Sequence, residues 1–268
     1  MAANLKQYLL DDLAQEISRL RESERWHNYL SVQARFHHYS PRNVLLISLQ
    51  RPSASQVAGF TTWRALGRSI KRGEQAISIL APILRTASAI DEEQPRIGYR
   101  WVNVFDISQT HGDALPSPVN LLEGHDPCDF EGLIAVLASE LGYPIRYELL
   151  PDGVNGEIRW THRTIAVQQD NSPLQRIKTI AHELGHALLH EHERDRRRAE
   201  MEAESVAYVV LHALGIDSSP YSAGYVASWM GDTAEAHDAL LSCCANVQAA
   251  STAILEGLSR LKSSHHAA

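Results

Sequence analysis

The sequence predicts an α+β protein built from two domains. Its 268 residues suit one large domain or two modest ones. Apolar residues recur at helical spacing near both ends of the chain, whereas two blocks of strand-like sequence lie between them. The stretch from Gln109 to Pro127 has three prolines, two glycines and little periodicity, which indicates a linker. We therefore place one domain at residues 1–110, a linker at 111–128 and a second domain at 129–268.

Helices followed by paired strands are predicted for the first domain. The first twenty residues and the stretch WHNYLSVQARFHHYS both repeat apolar residues every three to four positions. Pro41 then ends one helix or starts another, and NVLLISLQ continues as a short buried helix. A turn-rich segment and a compact unit around Gly67 and Gly73 lead to two candidate strands, QAISILAPILRT and RIGYRWVNVFDIS.

The second domain is predicted to hold a few strands followed by long helices. A helix from Phe130 to Leu141 precedes two strand-like segments, YPIRYELL and GEIRWTHRTIAVQ, and the second suits an edge strand or a hairpin. A long helix follows from about Pro173 to His192, and another begins near Arg196 and ends at Gly215. Residues 221–229 and 234–261 complete a helical C-terminus.

Charge is unevenly distributed along the chain. The net charge of −7 combines a basic stretch from Arg19 to Arg85, with eleven basic and three acidic residues, and an acidic remainder. From His111 to the end there are 11 basic and 22 acidic residues. This asymmetry suggests two modules with different partners, one of them polyanionic. An ordinary solvated basic face is the alternative interpretation.

Targeting and cysteine signals favour the cytoplasm. No run of about 18 apolar residues is present, so we expect no transmembrane helix and no membrane partner. Acidic residues interrupt the apolar residues of the N-terminus, unlike those of a secretory signal. The three cysteines, Cys128, Cys243 and Cys244, form no CxxC pair, which is typical of a reduced protein without disulfides or a cysteine zinc site.

The segment TIAHELGHALLHEH contains the pattern His-Glu-x-x-His and predicts a metal site. His182 and His186 lie one helical turn apart and can offer two imidazole nitrogens to one zinc ion. Glu183 can then act as the general base for a water that attacks a carbonyl group. The flanking apolar residues predict a buried helix, in which two histidines and a glutamate would need a partner.

A third metal ligand is expected from the next helix, RAEMEAESVAYVV. Its candidates are Glu200, Glu202 and Glu204. We favour Glu202, because it lies at the edge of the apolar face of that helix. Periodicity does not exclude Glu200, and Glu204 is a lesser candidate. His190 continues the histidine face, but a fourth protein ligand would close the open position, so we expect it beside the ligands or at the solvent edge.

Longer stretches of the sequence, which include these residues, resemble two known protein families. HELGHALLH followed by EMEAESVAYVV and YSAGYVASW is similar to zinc metallopeptidase domains of the ImmA/IrrE type. FHHYSPRNVLLISLQRPSASQVAGFTTWRALGRSIKRGEQAISILAP and VFDISQTHGDALP resemble the N-terminal single-stranded-DNA-binding domain of ArdC-like antirestriction proteins, which join it to such a peptidase. The resemblance covers roughly residues 20 to 230. It implies an N-terminal α+β DNA-binding domain followed by a zincin-like domain with a small sheet and an HExxH helix.

The resemblance also implies a set of DNA-binding residues. Guanidinium and ammonium groups would neutralise phosphates, and an aromatic ring would stack on an unpaired base. The candidates are Arg42, Asn43, Arg51, Trp63, Arg68, Lys71 and Arg72. Trp63 could equally be a core residue, and Asn43 could cap its helix. Tyr221 or Tyr225 is a candidate for stabilising the oxyanion.

These observations predict a protein that binds single-stranded DNA and carries a zinc-peptidase site formed by His182, His186, Glu202 and Glu183. The resemblance implies antirestriction during plasmid or phage DNA entry. One alternative is a protein that only coats DNA and whose metal is structural. Another is a DNA-tethered peptidase that cleaves a repressor or a crosslinked protein. The protein or peptide substrate is not identified, and manganese or cobalt would also suit two histidines and a carboxylate.

Overall fold

Eight α-helices and eight short β-strands are formed in the residues that the computed structural model describes, 2–84, 97–113, 127–216 and 234–266. The helices are α1 (Ala2–Arg19), α2 (Ser23–Arg35), α3 (Pro41–Gln50), α4 (Phe60–Ala65), α5 (Pro127–Glu140), α6 (Pro173–Leu189), α7 (Arg196–Ala213) and α8 (Ala234–His266). The strands are β1 (Val57–Gly59), β2 (Arg68–Ile70), β3 (Ile77–Leu84), β4 (Ile97–Asp106), β5 (Thr110–Gly112), β6 (Ile145–Glu148), β7 (Gly156–Arg159) and β8 (Thr164–Gln168). This mixture of helices and small sheets confirms the predicted α+β class.

The chain divides into two compact units. The first comprises Met1–Glu16 and Tyr39–Pro116, and the second comprises Ile17–His38 and Ser117–Ala268. Helix α2 thus groups with the second unit, where the Trp26 indole N–H donates to Ser205 Oγ of α7 at 3.1 Å. The boundaries at residues 1–110, 111–128 and 129–268 stay a prediction.

A three-stranded antiparallel sheet with the order β1-β4-β3 organises the first unit, beside a β2-β5 pair. Two side-chain amides of α3 cover the outer edge of β3. Asn43 bonds both the N–H and the carbonyl of Leu80 at 2.8 Å. Gln50 bonds both backbone groups of Ser78 at 2.9 Å. Because these amides replace a neighbouring strand, the edge of β3 is satisfied within the unit.

The turn after β4 is held by Asp106. Its carboxylate accepts hydrogen bonds from the backbone N–H groups of Ser55 at 2.7 Å, Gln56 at 3.1 Å and Ser108 at 2.9 Å. Gln109 closes a capping box by accepting from the Asp106 N–H at 2.9 Å. The turn therefore joins β4 to the segment that leads into β1.

The second unit has a small mixed sheet with the order β6-β8-β7, and α6 contacts β7 and β8. Strand β8 lies between β6 and β7, and its apolar residues are covered on both faces of the sheet. Ile165, Ala166 and Val167 are all 0% exposed. Its partner β7 is antiparallel and lies at the sheet edge, as the hairpin prediction anticipated. Helices α5, α7 and α8 pack against α6. None of the described helices is long and apolar enough to cross a membrane.

Candidate metal centre

Helix α6 holds the two motif histidines one turn apart. Ser172 caps the helix by accepting from the Gln175 N–H at 3.3 Å, and a proline takes its first position. The apolar side chains that anchor the helix are fully buried: Ile177, Ile180, Ala181 and Leu184. The His182 and His186 side chains are 20% and 12% exposed, and their Nε2 atoms lie 3.1 Å apart.

Glu200, near the start of α7, supplies the carboxylate that faces this pair. Its Oε2 lies 3.5 Å from His182 Nε2, and its Oε1 lies 3.7 Å from His186 Nε2. One ligand atom from each of the three residues lies within 4.8 Å of the others. The two imidazoles hold the pKa of Glu200 well below its usual range, since their hydrogen bonds outweigh the effect of burial. The three side chains therefore form a group that could hold a metal ion.

Gly185, inside the motif, allows α6 and α7 to approach closely. A Cβ atom at this position would lie 3.0 Å from Ala203 Cα and 3.3 Å from Val206 Cβ. Contacts this short leave no room for a larger side chain without movement of α7. Helix α7 is thereby held close to the part of α6 that carries His182 and His186.

The far side of the His182 ring is occupied by Glu204. His182 Nδ1 lies 3.2 Å from Glu204 Oε2, and Lys178 Nζ pairs with Glu204 Oε1 at 2.8 Å. A carboxylate behind a ligating imidazole fixes the orientation of the ring and raises its basicity. Glu204 is therefore placed to orient His182 and does not face the shared Nε2 side.

His190 and Glu202 lie behind the His186 ring. His186 Nδ1 lies 2.9 Å from His190 Nδ1, and His190 Nε2 lies 3.0 Å from Glu202 Oε2. Arg198 Nε and Asn246 Nδ2 donate to Glu202 Oε1 at 2.9 and 3.1 Å. Glu202, favoured from the sequence as a metal ligand, is thus placed behind His190, with its side chain 1% exposed.

The composition of α7 explains why its periodicity did not identify the carboxylate that faces α6. From Ala199 to Leu211 nearly every side chain is buried, so the helix has no single apolar face. The burial of Glu202 reflects its partners on α7 and α8, whereas Glu200 is 65% exposed. The position of Glu202 at the edge of the predicted apolar face therefore did not indicate which side of α7 faces α6.

Glu183 lies beside this group in a protected position, 6% exposed. Burial raises the pKa of its carboxyl to about 7, although the charge of His182 opposes the increase. The neighbouring carboxylates of Glu200 and Glu157 raise the pKa further, and the backbone N–H of Ile158 in β7 donates a hydrogen bond that lowers it. A carboxyl group with a pKa near neutrality can both accept and return a proton at physiological pH.

An open cleft of about 340 Å³ gives access to Glu183. Its lining includes His182, Lys178 and the segment 153–156 that leads into β7. Gly156 brings β7 against α6, because a Cβ there would lie 2.4 Å from Thr179 Cγ2 and 3.4 Å from Glu183 Oε1. The oxyanion candidates Tyr221 and Tyr225 lie outside the described residues.

The spacing of the three side chains fits a tetrahedral metal ion. Two nitrogen ligands about 2.05 Å from such an ion would lie about 3.4 Å apart. The imidazole and carboxylate separations of 3.1, 3.5 and 3.7 Å are close to this value. Burial tends to lower the pKa of His182, but Glu200 and Glu204 outweigh it and raise the pKa to about 9. The site thus favours a cation between these side chains.

In the first unit, two of the predicted DNA-binding residues are buried and bonded to backbone groups. Trp63 is 2% exposed, and its indole N–H donates to the Phe105 carbonyl at 2.8 Å. Asn43 is 7% exposed and binds the backbone of Leu80, so it does not cap its helix. Neither side chain presents a free surface to a nucleic acid.

The predicted cationic residues lie at or near the surface. Lys71 Nζ donates to the Ser108 carbonyl at 2.8 Å, and Arg51 Nη2 donates to Ser108 Oγ at 3.1 Å. Arg68 Nε donates to Thr110 Oγ1 at 2.7 Å. These three side chains thus gather around the segment that follows β4. Arg42 and Arg72 are exposed and have no hydrogen-bond or ion-pair partner among the described residues.

Two domain families match the chain. The N-terminal domain of the anti-restriction factor ArdC matches residues 3–105, and the IrrE N-terminal-like domain, peptidase family M78, matches residues 138–213. An uncharacterized Bacillus anthracis protein, pXO2-81, is 25% identical over 249 residues, which cover 74% of this chain and 42% of that protein. The chain thus spans less than half the length of this curated relative.

Two crystal structures of the antirestriction protein ArdC from plasmid R388 have a similar fold. The metal-free structure has a TM-score of 0.55 at 20% identity, covering 83% of this chain and 86% of that one. The Mn(II)-bound structure has a TM-score of 0.51 at 19% identity, covering 86% and 97%. The order of the two domain matches and the similar fold are thus ArdC-like: a region that matches the ArdC N-terminal domain is followed by a region that matches the IrrE-type, metallopeptidase-like domain.

Proposed function

We propose that this chain binds single-stranded DNA, carries a metal-dependent peptidase site and acts in antirestriction. The observation that carries the peptidase part is the convergence of His182, His186 and Glu200 within 4.8 Å, beside the buried carboxyl of Glu183. The IrrE-type domain and the Mn(II)-bound structure of the ArdC relative support the presence of a metal.

His182, His186 and Glu200 would hold the metal, with Glu200 in the place first expected for Glu202. Three protein ligands leave a coordination position open, which a catalytic metal requires. Zinc suits two imidazoles and a carboxylate, and manganese or cobalt would be accepted by the same donors. Glu204 and His190 orient the two imidazole rings through their Nδ1 atoms.

Glu183 is the proposed general base. When bound, a divalent metal supplies a Lewis acid that polarises the carbonyl group of a peptide bond. Glu183 takes a proton from the attacking water and returns it to the leaving amine. A pKa of about 7, caused mainly by burial, suits both transfers. The open cleft beside Thr179 and Gly156 is where the peptide would enter.

The first unit is the proposed DNA-binding part, on the support of its match to the ArdC N-terminal domain. Its cationic side chains Arg42, Arg51, Arg68, Lys71 and Arg72 would contact phosphates. Such contacts do not depend on sequence and weaken as salt increases. We therefore propose binding without strong sequence preference.

The metal assignment is tested by measuring metal content after reconstitution with Zn²⁺ or Mn²⁺. We expect about one ion per chain in the wild type and in Glu191→Gln, an exposed control on the loop after α6. Glu200→Gln should lose most of the metal, whereas Glu202→Gln should retain it at a lower affinity. Loss in Glu202→Gln together with retention in Glu200→Gln would instead restore Glu202 as the ligand.

The peptidase assignment is tested with Glu183→Gln, which removes the base and leaves the proposed ligands. Cleavage of labelled casein by the metal-loaded protein should fall at least about 100-fold in this variant. Equal cleavage by both proteins would refute the role of Glu183. In cells, transfer of unmodified plasmid DNA into a restricting host gives a second measurement. If Glu183→Gln protects the DNA as well as the wild type, the DNA-coating alternative is favoured.

The tethered-peptidase alternative is tested with Lys71→Glu and Arg72→Glu in one protein. We expect casein cleavage without DNA to be unchanged, because both residues lie in the first unit. If added single-stranded DNA stimulates cleavage in the wild type but not in this variant, DNA acts as an activator or tether. If DNA has no effect on cleavage in either protein, the two activities are separate.

A further inference from the structure

We propose that the open face of the β1-β4-β3 sheet stacks unpaired DNA bases on Tyr99 and Trp101. This inference rests on the proposed binding of single-stranded DNA and names the surface that would do it. None of the residues first expected to bind DNA supplies an exposed aromatic ring, because Trp63 is buried. The sheet supplies rings elsewhere.

The strand register places an aromatic row on one face of the sheet. Side chains alternate along β4, so Tyr99, Trp101 and Phe105 share a face with Asn103 between them. Cross-strand pairing puts residues of β3 and β1 on the same face: Pro82 opposite Tyr99, Leu80 opposite Trp101, Ser78 opposite Asn103 and Ala58 opposite Phe105. Successive positions in the row are about 6.8 Å apart, a spacing that allows each ring to take its own base.

The opposite face of the sheet forms the core. Ile77, Ile79 and Val104 are 2%, 5% and 6% exposed, and α3 contacts β3. The aromatic face is more accessible, since Tyr99 is 58% exposed, Asn103 is exposed and Trp101 is partly exposed. The sheet thus buries its aliphatic face around Ile77, Ile79 and Val104 and leaves its aromatic face more accessible.

The described residues of the sheet and of the segments that connect its strands carry an excess of positive charge, which favours a polyanion as the occupant. Residues 39–84 and 97–113 contain seven lysines or arginines and three acidic residues. One of the three, Asp106, is buried and bonded to backbone N–H groups. Arg64 lies exposed on α4, next to the tryptophan that binds the Phe105 carbonyl of β4. Cationic side chains together with an aromatic sheet face are the combination that binds single-stranded nucleic acids.

Polar groups on the same face could contact base edges. Asn103 lies between Trp101 and Phe105 in the row, and its Oδ1 is 3.5 Å from Ser78 Oγ. The amide offers both a donor and an acceptor, so it can bond to base edges of more than one kind. This fits binding that depends on the presence of bases more than on their identity.

The test compares two labelled oligonucleotides of equal length, dT20 and a version in which the bases are absent. Affinities of the full-length protein are measured by fluorescence anisotropy at two salt concentrations. Tyr99→Leu and Trp101→Leu keep apolar bulk but remove the ring. Tyr8→Leu is the matched control, because Tyr8 is 62% exposed but lies on α1.

We expect the wild type and Tyr8→Leu to prefer dT20 over the abasic strand. Tyr99→Leu and Trp101→Leu should each bind dT20 at least about fivefold more weakly, with little change for the abasic strand. Their salt dependence should be unchanged, because stacking releases no counterions. Lys71→Glu with Arg72→Glu should instead weaken both strands and reduce the salt dependence.

The outcomes separate this inference from the proposed function. If the wild type binds neither strand, the DNA-binding proposal fails and this one fails with it. If the wild type binds dT20 and both ring variants bind it as Tyr8→Leu does, only the stacking face is refuted. A change of oligomeric state in the ring variants, without a change in dT20 affinity, would assign the face to a second copy of the chain and also refute the proposal. Tyr99→Leu keeps the test valid if Trp101→Leu unfolds, since Tyr99 is mostly exposed.

Discussion

Replacing Gly156 with alanine tests how closely β7 lies on the motif helix. A Cβ at this position would lie 2.4 Å from Thr179 Cγ2 and 3.1 Å from the Ala166 carbonyl oxygen. Carbon atoms pack at about 3.5–4.0 Å, so the strand or Thr179 has to move by roughly 1 Å. Thr179 is buried and donates through Oγ1 to the Gln175 carbonyl at 2.8 Å, which restrains it. We expect the variant to lose about 1–3 kcal/mol of unfolding free energy.

Equilibrium unfolding in urea of the metal-free protein measures this loss without a contribution from metal binding. Thr179→Ser provides the matched control, because it removes the methyl group that the new Cβ would meet. Alone, it should cost about 1 kcal/mol for the lost methyl group. In the double variant the two changes should partly cancel, with a coupling energy of about 1–2 kcal/mol.

Two results would refute this reasoning. If Gly156→Ala unfolds at the same urea concentration as the wild type, β7 does not approach α6 as described. If the two substitutions are additive within about 0.5 kcal/mol, the contact with Thr179 is not the cause of the loss.

Three further predictions follow from individual contacts. His190→Ala should lower metal affinity about 10- to 100-fold in a competition titration, because His190 orients His186; an affinity equal to that of Glu191→Gln would contradict this. Asn43→Ala should cost about 1–3 kcal/mol by exposing the Leu80 backbone groups, whereas the exposed neighbour Arg42→Ala should change stability by less than about 0.5 kcal/mol; equal losses would disprove the edge-covering role. Burial tends to raise the pKa of Asp106, but hydrogen bonds to its carboxylate outweigh burial and lower the pKa below the ordinary 3.8. The stabilisation that Asp106 contributes is therefore present above pH 3.8, and it is lost as the pH falls through the lower pKa of the folded state. Acid unfolding followed by circular dichroism should show this loss in the wild type and not in Asp106→Asn, and superimposable acid profiles would count against it.

The histidine pair was predictable because its geometry is local. Residues four positions apart on a helix share a face whatever surrounds the helix, and the flanking apolar residues already indicated burial. The role of His190 behind His186 was also within reach, since it lies one more turn along the same face. Gly185, inside the motif, was informative as well. Glycine destabilises the interior of a helix, so its presence there indicates that another element packs closely against the helix at this point.

The third carboxylate was not predictable in the same way. Glu200, Glu202 and Glu204 lie within five residues on one helix, and their sequence spacing suits any of them. Their roles depend on how α7 is rotated about its axis against α6. The structure directs Glu200 to the shared Nε2 side, Glu204 to the far side of His182, and Glu202 to His190.

Sequence alone determined the α+β class, the order of the longer helices and strands, and the pairing of His182 with His186, because each follows from periodicity over a few residues. Tertiary structure decided which glutamate faces the histidines and which aromatic rings remain accessible. Trp63 and Trp101 are the same residue type in the same unit. The Trp63 ring is buried and donates a hydrogen bond to a backbone carbonyl, whereas the Trp101 ring lies on the accessible face of the sheet. The physical reason is that burial depends on the neighbours that an element packs against, and local sequence does not specify them.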